Sequence, residues 1–265
     1  MLSAFADACQ ITGDPEYAQI LRTTLDFLRN KLFEDNELRH TYKDGRARFP
    51  AYLDDHAHLI AGLLDSYQAL FDPEPVRLAQ RLMQTVERDF HDPEQGGYFY
   101  APKDQTDLVY RVKDRGDASI PSGSGVMAAN LLRMFHLTEE QAYLTRAEQL
   151  FAKYGRQMID NPYGFASYLN ALDFYLRKPF EIVIVRGTRP ETKPFLTAIH
   201  RRFLPNKIVL VKDDRQPLPA PFSLSLIAGR EAVDDRTTVY VCRNFACSLP
   251  IVDSEQLERE LFSKD

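Results

Sequence analysis

The chain has 265 residues, 44% of them hydrophobic, which is enough for one large domain or two smaller ones with an apolar core. Its net charge is −5 and its basic residues are dispersed, so no nucleic acid and no membrane surface is expected as a partner, because both need a basic patch. Three cysteines are too few for a disulfide scaffold, and this favours a cytoplasmic location.

Up to about residue 177, apolar residues recur at helical spacing, with turn signals between the segments. A polar segment over residues 33–51 and a long stretch rich in Gly, Pro and Asp over residues 91–120 are expected to be loops. The helices are predicted over residues 1–11, 15–32, 52–71, 75–89, 122–137, 139–158 and 163–176.

A similar helical segment returns three times, at an interval of roughly 60 residues. Aligning the copies superposes three small or apolar residues, Leu21, Ala79 and Ala147. Helical hairpins of this period are typical of arrays and closed toroids, whose units cannot bury their apolar faces alone. The chain holds only about three such hairpins. We therefore expect an incomplete toroid with an open apolar edge, which would self-associate or bind a partner chain.

After Lys178 the composition changes to β-branched runs. Strands are predicted over residues 180–185, 207–211 and 237–242, with helices over residues 190–203 and 253–262. This order favours a small α/β unit with some parallel pairing. The predicted domains are therefore residues 1–177 and 178–265.

Asp54 and Asp55 stand at the start of a predicted buried helix, and His58 follows one turn later. Two carboxylates beside an imidazole could perform acid–base chemistry on a sugar, so these three are the candidate catalytic residues. The alternative is that one aspartate caps the helix and interacts with its dipole.

The loop before the next helix carries a second set of candidates. Arg111 offers a planar fork to a carboxylate or to sugar hydroxyls, while Lys113, Asp117 and Ser122 could also bind a ligand. Alternatively, Ser122 is the N-cap of the helix and Asp117 braces the loop. Tyr98, after two glycines, could present its ring to a sugar, although a turn explains the motif as well.

Neither a metal nor a cofactor is expected. His56 and His58 are two residues apart and point to different helix faces, so they are poor partners for one metal ion. Cys242 and Cys247 lack the Cys-x-x-Cys spacing of redox sites, and we expect buried free thiols there.

Five motifs in order carry a family resemblance. They are Tyr-Leu-Asp-Asp-His-Ala at 52–57, Gly-Gly-Tyr-Phe at 96–99, Arg-Val-Lys at 111–113, Asp-Ala-Ser-Ile-Pro-Ser-Gly at 117–123, and the tail at 240–247. The chain resembles the large thioredoxin-domain-containing proteins typified by the spermatogenesis-associated thioredoxin-like protein. Their usual layout is a thioredoxin-like domain followed by an (α/α) toroid similar to N-acylglucosamine 2-epimerases and six-hairpin glycosidases.

The chain departs from this family in two respects. It has no Cys-x-x-Cys, so the resemblance is to the toroid portion without the thioredoxin domain, and it holds about three hairpins where the family's closed toroid has six. One position differs as well, because Ser124 stands where the family usually has Asn. The resemblance implies a mainly α fold, an incomplete six-hairpin glycosidase-like toroid followed by the α/β unit. It also implies binding or processing of a carbohydrate-like ligand at the toroid mouth. The alternative is a non-catalytic interaction module, or a truncated product, associated with a thioredoxin-like partner.

Overall fold

The computed structural model describes residues 1–106, 108–113, 116–188, 191–213, 222, 226–244 and 246–262. Its first part consists of helical hairpins, as the spacing of apolar residues predicts. The helices are α1 (Leu2–Thr12), α2 (Pro15–Lys31), α3 (Leu53–Leu70), α4 (Glu74–Asp89), α5 (Gly123–Thr138), α6 (Gln141–Asp160) and α7 (Ala166–Arg177), with a short 3-10 helix (Pro162–Phe165) before α7.

These helices form two rows. Helices α1, α3, α5 and α7 pack side by side in an inner row, while α2, α4 and α6 each pack behind the preceding inner helix as an outer row. The three residues superposed by the sequence repeat, Leu21, Ala79 and Ala147, are fully buried at equivalent places in the outer row. The fold is therefore mainly α, an (α/α) hairpin toroid segment followed by a small α/β unit.

The segment between α2 and α3 is not the predicted loop. It forms a three-stranded antiparallel sheet of β1 (Phe33–Glu34), β2 (Glu37–Lys43) and β3 (Arg46–Pro50). The strands β2 and β3 are paired from Arg39 with Pro50 to Lys43 with Arg46. Most of their side chains are exposed or half-buried, so no apolar alternation marks them in the sequence.

The second part begins at β4 (Phe180–Arg186) and contains α8 (Lys193–His200), β5 (Lys207–Asp213), β6 (Thr238–Arg243), β7 (Ala246–Cys247) and α9 (Ser254–Phe262). The strand order is β5-β4-β6-β7, with β4 and β5 parallel and the other pairs antiparallel. Whether residues 1–177 and 178–265 fold as separate domains stays a prediction.

The central strands are buried on both faces. Ile182 and Ile184 pack against α8 and α9, while Val183 and Val185 belong to the core of the hairpin part. Gln68 of α3 fixes this arrangement, because its amide nitrogen donates to the Val209 carbonyl at 3.1 Å and its amide oxygen accepts from the Val209 N–H at 2.8 Å. The α/β unit is thus joined to the inner row by both apolar packing and hydrogen bonds.

One expectation needs correction. Cys242 and Cys247 are not free thiols, because they form a disulfide across the β6–β7 pair. In the first hairpin, Leu2, Ala6 and Leu21 are buried within the chain, and an open apolar edge there stays a prediction. Within the described ranges, no helix is both long enough and apolar enough to cross a membrane.

Candidate functional site

The N-terminal ends of α3, α5 and α7 are joined by hydrogen bonds that two aspartates accept. Asp54 Oδ1, in the first turn of α3, accepts from the Gly123 N–H of α5 at 3.0 Å. Asp117 Oδ1 accepts from the Ser122 N–H at 2.9 Å, and Asp117 Oδ2 accepts from the Ser167 N–H of α7 at 2.8 Å. The structure therefore brings together Asp54, Asp117 and Ser122, which the sequence marked as candidates in separate segments.

Asp54 is half-buried beside the start of α5. Burial raises the pKa of this carboxyl above its usual value, and the hydrogen bond from Gly123 offsets only part of that effect. No described residue donates a hydrogen bond to Oδ2, so one oxygen of the carboxyl is available for other contacts. A carboxyl with a raised pKa and a free oxygen has the properties of a general acid.

Asp55 has a structural role. Its Oδ2 accepts from the Tyr52 N–H at 2.8 Å and lies 2.7 Å from His40 Nδ1. The first contact satisfies an N–H at the start of α3, which confirms the alternative interpretation that one of the two aspartates caps the helix.

His58 lies one turn beyond Asp54 on an exposed part of α3. Its Nε2 is 3.1 Å from the Pro121 carbonyl oxygen, so this nitrogen carries the proton in that contact. The imidazole thus faces the same loop that carries Asp117. Its Nδ1 has no hydrogen-bond partner among the described residues.

Ser122 is the N-cap of α5, because its hydroxyl oxygen accepts from the Gly125 N–H at 3.1 Å. Asp117 braces this cap and also accepts from the Ser167 hydroxyl at 2.5 Å. Burial alone would raise the pKa of Asp117, but the hydrogen bonds from Ser122 and Ser167 outweigh it and lower the pKa. The carboxylate is thus held ionised by the helix ends it joins.

Arg111 lies apart from this cluster. Its guanidinium donates to the carbonyls of Asp89 and Ala101, and its central carbon lies 4.1 Å from the centre of the Phe99 ring. It borders a separate cleft together with Lys113.

Lys113 and Tyr98 are also held by protein groups. Lys113 Nζ forms a buried ion pair with Asp92 at 2.5 Å, and the fully buried Tyr98 donates its hydroxyl proton to Glu87 at 2.5 Å. Of the eight candidates named from the sequence, Arg111, Lys113 and Tyr98 therefore do not converge with Asp54 and Asp117.

A groove of about 490 Å³, with more apolar than polar surface, lies beside Asp117 on the inner row. Its walls come from α3, α5 and α7 and from the loop before α5, and they include Asp117, Ser119, Asn130, Arg133, Ser167 and Asn170. Asn130 and Asn170 were not among the sequence candidates. The signal for Asn130 was an amide within an otherwise apolar helix, whereas Asn170 gave no signal.

Asn130 is fully buried in the wall of this groove. Its amide nitrogen donates to the Ala57 carbonyl at 2.8 Å, but its amide oxygen has no hydrogen-bond donor among the described residues. Nearly all buried polar atoms have a hydrogen-bond partner, so a buried acceptor without a donor is an unusual feature of this wall. Within the described residues, no three His, Cys, Asp or Glu side chains are grouped to hold a metal ion.

The chain is similar to Spermatogenesis-associated protein 20 from two mammals. It is 29% identical to the rat protein over 273 residues, which are 98% of this chain and 35% of that protein. It is 31% identical to the mouse protein over 212 residues, which are 79% of this chain and 27% of that protein. The chain thus spans about a third of the length of these curated relatives. No protein-family model matches the chain.

Among solved structures, the chain is similar to a cellobiose 2-epimerase from Bacillus thermoamylovorans. The TM-score is 0.47 at 15% identity, over 58% of this chain and 42% of that one. A likeness of this size says nothing about the ligand of this chain.

Proposed function

We propose that the groove beside Asp117 binds a small, carbohydrate-like molecule with several hydroxyl groups, and that Asp54 and His58 supply acid–base chemistry. These two side chains do not line the groove but contact Gly123 and Pro121 next to it. The groove is lined by carboxylate, hydroxyl, amide and guanidinium groups, and the larger part of its surface is apolar, from residues such as Ala61 and Ala129. Such a mixture suits a ligand whose hydroxyls both donate and accept.

The observation that carries this proposal is the amide oxygen of Asn130. An unsatisfied buried acceptor costs about 1–3 kcal/mol, and the protein provides no donor among its described residues. A ligand hydroxyl in the groove would supply that donor once the Asn130 amide turns towards it, because the oxygen is fully buried in the structure. Asn170 is exposed on the same wall and offers both a donor and an acceptor.

The proton chemistry would fall to Asp54. Its raised pKa keeps a proton available nearer to neutral pH than an ordinary aspartate does, and its Oδ2 is free. His58, whose Nε2 proton is held by Pro121, would accept a proton at Nδ1. Asp55 would position Tyr52 and His40 and would not react.

Saturation-transfer NMR with a panel of neutral mono- and disaccharides tests the binding step. The Asn170→Ala variant should weaken binding of any sugar that binds the wild type by about tenfold, as expected for the loss of one or two hydrogen bonds. The matched control is Asn30→Ala, an exposed asparagine of the outer helix α2, which should bind as the wild type does.

A second variant tests the observation itself. Asn130→Leu keeps the number and branching of the side-chain heavy atoms and removes the unsatisfied acceptor, so the fold should be retained while binding is lost. Circular dichroism confirms folding before the NMR comparison. Binding that is equal in the wild type, Asn170→Ala and Asn130→Leu, or binding of no sugar in the panel, would contradict the proposal.

One observation favours the second candidate, a non-catalytic interaction module for a thioredoxin-like partner. The loop before α5 exposes Val109 almost completely and Tyr110 by 73%, and both are apolar surfaces of the kind found at protein interfaces. Under this candidate, Tyr110→Ser would weaken binding of a thioredoxin-like protein in calorimetry, while Tyr163→Ser, at a tyrosine exposed by 93%, would not.

A further inference from the structure

A second cavity, of about 620 Å³, lies where the α/β unit meets the inner row. We call it the junction cavity. On the helical side it is lined by Asp7, Gln10, Ile11, Asp65, Gln68, Arg133 and Phe174, and on the other side by residues 200–205 and Lys207. It is distinct from the groove beside Asp117, although Arg133 borders both.

The lining of the junction cavity has an excess of positive charge. Four cationic side chains face it, Arg133, Arg201, Arg202 and Lys207, against the two carboxylates of Asp7 and Asp65. Glu258 of α9 lies 3.9 Å from Arg201 and 3.4 Å from Arg202, so one further carboxylate reduces the excess from two charges to one.

The two innermost cations are not saturated by protein acceptors. Lys207 Nζ donates to the Leu204 carbonyl at 3.0 Å, and the other two protons of its ammonium group have no acceptor among the described residues. Arg133 contacts Asp65 through Nη2 at 2.7 Å, and the described residues offer its other nitrogens no acceptor. Desolvated donors of this kind need partners.

Burial and charge repulsion shift the pKa values of Lys207 and His200 in the directions expected around an anion-binding site. Burial lowers the pKa of Lys207 most, and the like charge of Arg133 also lowers it, while Asp7 and Asp65 raise it. His200 stays neutral, because burial and the charge of Lys207 lower its pKa to about 4. An oxyanion placed between Lys207 and Arg133 would relieve this repulsion.

We propose that the junction cavity is a second ligand site, for a small organic molecule that carries one carboxylate or phosphate group bound by Lys207 and Arg133. Lysine and arginine beside one another are the usual partners of such oxyanions. Ile11 and Phe203, exposed by 73% and 91%, would contact the apolar part of the ligand. This proposal is independent of sugar binding in the groove.

Calorimetric titration of the full chain with inorganic phosphate, and separately with acetate, tests the site at constant ionic strength set with chloride. At least one of the two anions should bind saturably, and which one binds assigns the group as phosphate or carboxylate. Lys207→Met should weaken that binding by about tenfold or more, as expected for the loss of a charge-assisted hydrogen bond. Lys207→Arg should restore most of it.

The matched control is Lys193→Met, an exposed lysine at the start of α8 that does not line the cavity, and it should bind as the wild type does. A second test variant, Arg201→Gln, should fold as the wild type does, because the Arg201 side chain is 70% exposed. It should weaken anion binding by about two- to threefold. The proposal is overturned if neither anion binds saturably, or if Lys207→Met and Arg201→Gln, both folded by circular dichroism, bind as tightly as the wild type.

Discussion

Asp117 and Ser167, fifty positions apart in the sequence, are joined by two hydrogen bonds, one from the Ser167 N–H and one from its hydroxyl. The same carboxylate accepts from the Ser122 N–H, so a single side chain satisfies N–H groups at the starts of two inner helices. Helix starts leave such groups without intrahelical partners. Asp117 therefore fixes the relative position of α5 and α7 beside the groove.

The first prediction concerns this carboxylate. Asp117→Asn keeps the size of the side chain but removes its charge and one acceptor, so it should lower the free energy of unfolding by about 1–3 kcal/mol. Urea unfolding measures the difference. Asp44→Asn in the exposed β2–β3 turn is the control and should change stability little, because asparagine tolerates the positive φ of 53° there. A shift in the Asp117 variant no larger than in the control would contradict the assigned role.

The contact between α3 and α5 requires a glycine. A Cβ added at Gly123 would lie 2.4 Å from Asp54 Oδ1 and 3.1 Å from Leu53 Cγ. Gly123→Ala should therefore destabilise the protein by about 1–3 kcal/mol in thermal or urea unfolding, despite the better helix propensity of alanine. Gly155→Ala in α6 is the matched control, since nothing lies within 4 Å of its added Cβ, and it should stabilise by about 0.5–1 kcal/mol. Equal effects at the two sites would show that the helices can move apart freely.

The ion pair of Asp92 and Lys113 should make stability depend on pH in the acid range. Both side chains are about nine-tenths buried, so Lys113→Met leaves a buried unpaired carboxylate and should cost about 3 kcal/mol near neutral pH. The hydrogen bond from Lys113 lowers the pKa of Asp92 to about 2, assisted by the N–H groups of Gln95 and Glu94. The pair's contribution is therefore complete above the unfolded pKa of about 4 and is lost as the pH falls towards 2.

Urea midpoints measured from neutral pH down to about pH 2 test this dependence. The difference between the wild type and Lys113→Met should stay constant down to about pH 5 and shrink below about pH 4. The control is Lys103→Met, which breaks an ion pair with Asp89. Because the Lys103 side chain is 46% exposed, this variant should change the free energy of unfolding by under about 1 kcal/mol. A difference between wild type and Lys113→Met that does not vary with pH would mean that the pair is not formed.

Self-association through the first hairpin stays a prediction. In the helices of this hairpin two large apolar side chains are exposed, Ile11 by 73% and Phe27 by 45%. Sedimentation velocity should show a dimer or larger species that Ile11→Arg weakens. Ile159→Arg, at a comparably exposed site on α6, should leave the association unchanged. A monomer at every concentration would contradict an open apolar edge.

The helices and the central strands could be predicted because burial leaves a periodic pattern in the sequence. Val183 to Val185 lie in a continuous run of β-branched residues, the pattern expected of a strand that is buried on both faces. The strands β2 and β3 could not be predicted in the same way, because their side chains are mostly exposed and their turn residues resemble those of a loop. The disulfide of Cys242 and Cys247 depends on the β6–β7 pairing, which the spacing of the two cysteines does not reveal.

The candidate site was predictable only where its contacts are local. The N-cap at Ser122 and the bond from Tyr52 to Asp55 involve neighbours three positions apart, and sequence patterns describe such neighbours. The contacts of Asn130 and Ser167 could not be predicted, because their partners Ala57 and Asp117 lie 73 and 50 positions away. Contacts at those separations depend on how the hairpins stack.

The central claim is that a ligand binds in the groove on the inner row. The most direct test is to follow the amide NMR resonances of the labelled protein during titration with a saccharide from the panel. The account predicts that the largest shifts occur at Ser119, Asn130 and Asn170, while residues of the outer helix α2 stay unchanged. Shifts centred on α2 or on the cleft beside Arg111, or no shifts with any saccharide, would contradict it.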